Sequence, residues 1–332
     1  MTSFTHSPAQ RAALIDAGYV KRARVKAALA GQPVDRPPVA FWHHFACQGS
    51  PAKLAAATTE FFVDSYDLDI VKVMHDLPYP FPRGSVANAA QWELLDEWAD
   101  GHASLTNTYC DIIRRVRREI GDGHPLMVTM HSPLTLIQLF AKTYPQVLEN
   151  LAENPAMLHR ALSTVAINLR NHARACIAAG ADGIFLSMVG CDETIPLETY
   201  HEIGRPYDLM VFDGARAGWL NIAHLHGGAV RQRLEDIAGY PVAAISWSSL
   251  TGGPSLSEAR AITDKCLMGG WHERDPLLGD LENDTTAHWA AAAQDAVAAA
   301  GAGLILTPGC SVPNGTAQSV LQAMRRAADH LG

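Results

Sequence analysis

His224 and His226 are separated by one residue in the stretch IAHLHGG, and a spacing of two puts both imidazoles on one face of an extended strand. Two imidazoles on one face could share a metal ion. Cys310, in LTPGCSVPNGT, offers a thiolate as a soft third donor. That set suits a borderline metal such as zinc and leaves a fourth position open for a substrate atom. Further titratable groups follow other short apolar runs: His43 and His44 after VAFW, His75 and Asp76 after DIVKVM, His131 after PLMVTM, and Cys47, Asp192 and Glu193 as spare ligands. A chain with 15 histidines must place many of them in ordinary surface loops. Their shared position after apolar runs is what turns them into a common site.

Those runs predict the elements that hold the site. Short apolar segments lie at 38–42, 69–74, 125–130, 183–187, 219–223, 242–246, 264–268 and 303–306. Alanine-rich stretches with helical spacing fall between them, at 52–64, 145–179, 229–237, 256–263 and 284–300, and another, 315–330, follows the last. Such alternation predicts parallel strands joined by crossover helices, and eight strands predict a single (β/α)8 TIM barrel rather than an open sheet. A doubly wound sheet is the rival, but no strand-to-helix turn carries G-x-G-x-x-G or a P-loop. The expected organisation is one domain over 1–332, with 1–36 as an N-terminal helical extension and 76–122 long enough to form a lid or hairpin. In a barrel the active site gathers at the C-terminal strand ends, where the histidines fall.

An apolar share of 48% supports a large core, and a formal charge of -8 argues against nucleic acid or an anionic membrane as partner. A small-molecule substrate fits better. The six cysteines show no C-x-x-C spacing, and the chain has neither an apolar leader nor a run long enough to span a bilayer. The expectation is reduced thiols in a cytoplasmic protein. At the expected mouth, His43, His75 and Asp76 are candidate catalytic groups. His44, His131, Tyr79, Trp247, Trp271 and Arg274 are candidates for substrate binding: the indoles as pocket walls, the Tyr79 hydroxyl as a donor, and Arg274 as the partner of an anion. His272, Glu273 and Asp275, beside Arg274, read as a solvated loop of mixed charge.

The stretches RARVKAALAGQPVDRPPV, YDLDIVKVMHD, HSPLTL, GADGIFLS, HLHGG, LMGG with a following DP, and LTPGCSVPNGT occur in that order over nearly the whole chain. In this it resembles the uroporphyrinogen decarboxylase superfamily, which includes heme-pathway decarboxylases and zinc-dependent methyltransferases that act on corrinoids and thiols. Heme-pathway members look like V-W-x-M-R-Q-A-G-R at the first strand; here the stretch is VAFWHHFAC, with His43 and Cys47 in place of the two arginines. Losing those carboxylate-binding forks argues against a porphyrinogen substrate. Asp76 matches the family's catalytic aspartate. The methyltransferase branch looks like H-x-C after the fifth strand with a cysteine after the eighth, and here His224, His226 and Cys310 stand there. His226 replaces a cysteine, so one thiolate remains where the branch has two, and a bound zinc would be a stronger Lewis acid and a poorer promoter of thiolate attack.

Three readings follow. The first is a zinc-dependent methyl or alkyl transferase that activates a substrate thiol or heteroatom, its methyl group reaching it from a corrinoid protein. The second is a metal-free decarboxylase or lyase on a small acid, using Asp76 and the mouth histidines. The third is a non-catalytic barrel that serves as corrinoid partner or ligand-binding module. The resemblance admits either a monomer or a homodimer.

Overall fold

The computed structural model describes residues 7–45, 50–74, 77–81, 85–98, 104–190, 194–227, 230–280 and 282–331. Seven strands form one parallel sheet in sequence order: β1 (Val71–Val73), β2 (Leu126–His131), β3 (Gly183–Met188), β4 (Ile222–Leu225), β5 (Ala244–Trp247), β6 (Cys266–Trp271) and β7 (Leu304–Pro308). Each neighbouring pair is parallel and consecutive. A doubly wound sheet would reverse its order part-way, and this one does not. Helices lie between successive strands, Ser104–Ile120 before β2 and Thr286–Ala300 before β7 among them. The segment 76–122 supplies a short 3-10 turn, Ala89–Leu94, and that first helix.

Among the described residues, seven of the eight expected strands form. Segment 38–42 makes a single parallel bridge, Val39 with Leu306. The reason is local chemistry. Pro37 and Pro38 have no N–H to give a ladder, and the Val39 N–H is taken by the Asp69 side chain. What pairing remains is two-sided: Ala40 N donates to Leu306 O, Leu306 N to Pro38 O, and Asp69 N to Val39 O. The segment therefore lies between β7 and the residues leading into β1. The strand expected at 219–223 begins instead at Ile222, because Leu220 N, Trp219 Nε1 and the Asn221 side chain are bound by the preceding turn and Asp182.

Both faces of the sheet are covered, so the strands are apolar throughout and alternate between two layers. One layer gathers Ala40, Trp42, Ile70, Met127, Phe185, Ile222, Ala244, Cys266, Met268 and Ile305 together with Val25 and Ala28 of helix α1 (Pro8–Leu29). The other gathers Val71, Val128, Ile184, Ala223, Ile245, Leu267 and Leu306 with the helices outside. The first is the interior of the curved sheet, and α1 covers it where the strands begin. No described helix is long and apolar enough to cross a membrane.

Two carboxylates, one buried and one partly buried, tie that end together. Asp69, fully buried, accepts from Arg24 of α1 (2.6 Å), from Arg36 (2.7 Å) and from Val39 N (2.8 Å). Asp182 accepts from Arg117 (2.9 Å), Leu126 N (2.9 Å) and Trp219 Nε1 (2.8 Å) and pairs with Arg22. Removing one partner of such a buried set leaves uncompensated charge. Asp69→Ala is expected to lower the free energy of unfolding by about 3–5 kcal/mol, read as a shift in the urea midpoint. An unshifted midpoint would contradict this role.

Candidate metal centre

Strand register sets the site. Ser187 of β3 stands opposite His224 of β4, and His224 opposite Ser246 of β5. Because Ala223 and Leu225 point to the helices, His224 and His226 point to the interior. Their rings meet edge to face, centroids 4.3 Å apart at 87°. Cys310 arrives from the end of β7, its Sγ 4.0 Å from His226 Nδ1. Each of the three offers a ligand atom, and these atoms all lie within 4.8 Å of one another. Hydroxyls orient the rings: Ser246 Oγ is 3.0 Å from His224 Nδ1, and Ser187 Oγ is 3.0 Å from His226 Nε2. Each imidazole thus has one nitrogen tied and the other for a ligand, as metal-binding histidines require. Phe185 stacks beneath His224 at 4.7 Å.

Burial makes the trio neutral. It drives His224 well below the usual histidine range and His226 down to about 4, with His131 and Lys72 adding repulsion. Burial also raises the Cys310 thiol. Neutral imidazoles are the form that ligates, and a cation bound there would displace the thiol proton. Lys72 lies in the interior from the middle of β1, 2% exposed, its ammonium 4.5 Å from the centre of the Phe185 ring and 5.3 Å from that of Trp42. It lies outside the histidine and cysteine pattern that marks the site in the sequence. A lysine between Val71 and Val73 in an otherwise apolar strand was the signal.

A cavity of about 400 Å³ is lined by Met74, Tyr79, Tyr109, Thr129, His131 and Phe140, among others. His131, at the end of β2, lines this cavity, and its charge acts on His226. Tyr79 lines it too, with its ring stacked on Trp98 (4.7 Å) and its hydroxyl accepting from Asn168 Nδ2 (2.7 Å).

Residues 71–331 match the sequence profile of the family described as uroporphyrinogen decarboxylase (URO-D). The chain belongs to that family. It is an enzyme of the uroporphyrinogen decarboxylase family whose interior end holds two histidines and a cysteine. No curated protein sequence matches it. A methyltransferase from Methanosarcina mazei superposes with a TM-score of 0.78 at 17% identity, covering 93% of this chain and 98% of the other. A B12-independent methionine synthase from Shewanella sp. W3-18-1, in complex with selenomethionine, has a TM-score of 0.56 at 12% identity, covering 90% and 94%. A putative vitamin-B12 independent methionine synthase from Listeria monocytogenes has a TM-score of 0.51 at 14% identity, covering 100% and 91%. At these identities the likeness is one of fold.

In this uroporphyrinogen decarboxylase family member the other candidates are dispersed. His43 stacks on Phe61 at 4.5 Å, and His44 follows it, half-buried. Trp247 and Trp271 lie in the helix-facing layer, fully buried, their indoles donating to Pro254 O and Trp289 O. Strand parity thus turns both rings away from the mouth they were expected to wall. Arg274 is exposed, and its charge still reaches Cys310. Glu273, read from sequence as a solvated loop residue, is buried and also acts on Cys310. His75, Asp76, Cys47, Asp192 and Glu193 fall outside the described residues.

The donor set fits zinc: nitrogen and sulfur atoms, pre-oriented by hydroxyls, with imidazoles already neutral. A pH dependence follows. Histidines in the unfolded chain gain a proton below about 6.5, whereas folded His226 resists until about 4. Its contribution is fully present above pH 6.5 and is lost as pH falls toward 4, by up to about 3 kcal/mol. Urea titrations of cation-stripped protein at about pH 7.5 and about pH 4 measure it. His226→Gln is expected to reduce the difference between the two.

Proposed function

We propose that this enzyme is a metal-dependent methyl or alkyl transferase acting on a small substrate, with zinc held by His224, His226 and Cys310. The observation that carries the reading is the convergence of three ligand atoms within 4.8 Å of one another at the inner end of the strands. Zinc bound there would supply Lewis acidity that lowers the pKa of a substrate thiol or other heteroatom. The chain's own groups do the rest. Ser246 and Ser187 fix the imidazoles, Cys310 would release its proton to solvent if it ligated the metal, and the apolar cavity lined by His131 takes the body of the substrate and excludes water. His75, Asp76 and His43 are assigned proton handling at the mouth, and His44, His131, Tyr79 and Arg274 substrate contacts. In this reading segment 38–42 takes the eighth position of a closed (β/α)8 barrel, and the methyl donor is a corrinoid carried by a partner protein.

One observation favours the second reading, metal-free decarboxylation of a small acid. The buried Lys72 ammonium would attract a carboxylate into the same interior. Metal content separates the two. Protein purified without chelator is expected to hold about one zinc per chain, and His224→Ala or Cys310→Ala to lower that content by at least about tenfold while the chain still folds. A wild-type protein without zinc would leave the decarboxylase reading standing instead.

A further inference from the structure

Glu273 sits two residues beyond β6 and is 8% exposed. One carboxylate oxygen is fixed: Oε1 accepts from Ser248 Oγ at 2.8 Å and from Thr251 Oγ1 at 3.2 Å. The other is not. Oε2 is buried with no hydrogen-bond partner among the described residues. It lies against the loop that delivers Cys310, since a Cβ added to Gly309 would come within 2.7 Å of it. Glycine at 309 keeps this approach open. Ser248 is two residues beyond Ser246, the hydroxyl that orients His224, so one strand end serves both groups.

A buried carboxylate with an unpaired oxygen is unfavourable unless a cation or a donor completes it. Two neutral imidazoles and one thiolate leave a divalent cation with a net positive charge, and Lys72 adds another positive charge nearby. Among the described residues, Glu273 is the carboxylate whose charge reaches both His226 and Cys310. It is not itself one of the three groups whose ligand atoms lie within 4.8 Å of one another. A bare carboxylate oxygen beyond the ligand set can engage a ligand in the open position only if that ligand carries a hydrogen.

We propose that Glu273 is the fourth, anionic member of the cation site, its free Oε2 accepting a hydrogen bond from a protic group, water or a substrate thiol or hydroxyl, in the cation's open position. This rests on the metal reading of the trio and narrows the substrate class to protic heteroatoms. It also restores the negative charge that His226 removes relative to an H-x-C pair.

Zinc affinity tests it. Metal-stripped wild type and Glu273→Gln are titrated with zinc against a chromophoric chelator, and both are loaded with Co(II) for visible absorption. Glu273→Gln is expected to bind zinc about tenfold or more weakly at unchanged stoichiometry, with shifted Co(II) bands. Equal or tighter binding with an unchanged spectrum overturns the role of Glu273 and leaves the trio intact. If wild type binds no zinc, the trio reading fails and this inference with it. Circular dichroism checks folding. Should Glu273→Gln not fold, the Ser248→Ala, Thr251→Ala double variant, which frees Oε1, is expected to weaken zinc binding in the same direction; unchanged affinity there overturns the proposal.

Discussion

A parallel strand covered on both faces must send every side chain into one of two layers, and the sheet described here depends on that alternation throughout. Near the start of the strands both layers are apolar. Further along the same strands the inner layer turns polar, through Lys72, Thr129, Ser187, His224, Ser246 and Thr307, while the outer layer stays apolar to the end. The polar inner layer therefore needs no special loop. It arises where an inward position carries a polar residue on a strand whose outward neighbours, such as Ala223 and Leu225, are fixed against helices.

Polar groups inside so dry an interior must be satisfied or neutral, and each is handled differently. The imidazoles are uncharged and hydrogen-bonded to serines, Lys72 lies over two aromatic rings, and Glu273 has one oxygen held by hydroxyls. What is left over, a protonated thiol beside neutral nitrogens and a half-satisfied carboxylate, matches the electrostatic needs of a small cation.

Much of this was legible in the chain. The two-residue spacing of His224 and His226 and the apolar run that contains them carried the site, because strand parity is a property of sequence alone. Parity also held the answer for Trp247 and Trp271: each stands one residue from an inward position, and so it faces the helices. The reduction of segment 38–42 to a single bridge was not legible, because one distant carboxylate, Asp69, takes the Val39 N–H that a ladder would use. Glu273 was missed for a related reason. Mixed charge in HERD suggests solvent, and its burial depends on Ser248 and Thr251 of a different loop, a contact that no local pattern contains.

The ionic ties of Asp69 and Asp182 lie where the strands begin, and the histidines and Cys310 lie where they end. Under the proposed function, integrity and reactivity fall at opposite ends of the same strands. With such a division, a side chain at the proposed metal site can change without touching the ion pairs that tie the strand beginnings together. New chemistry can then be tried one side chain at a time on a scaffold that hardly registers the change.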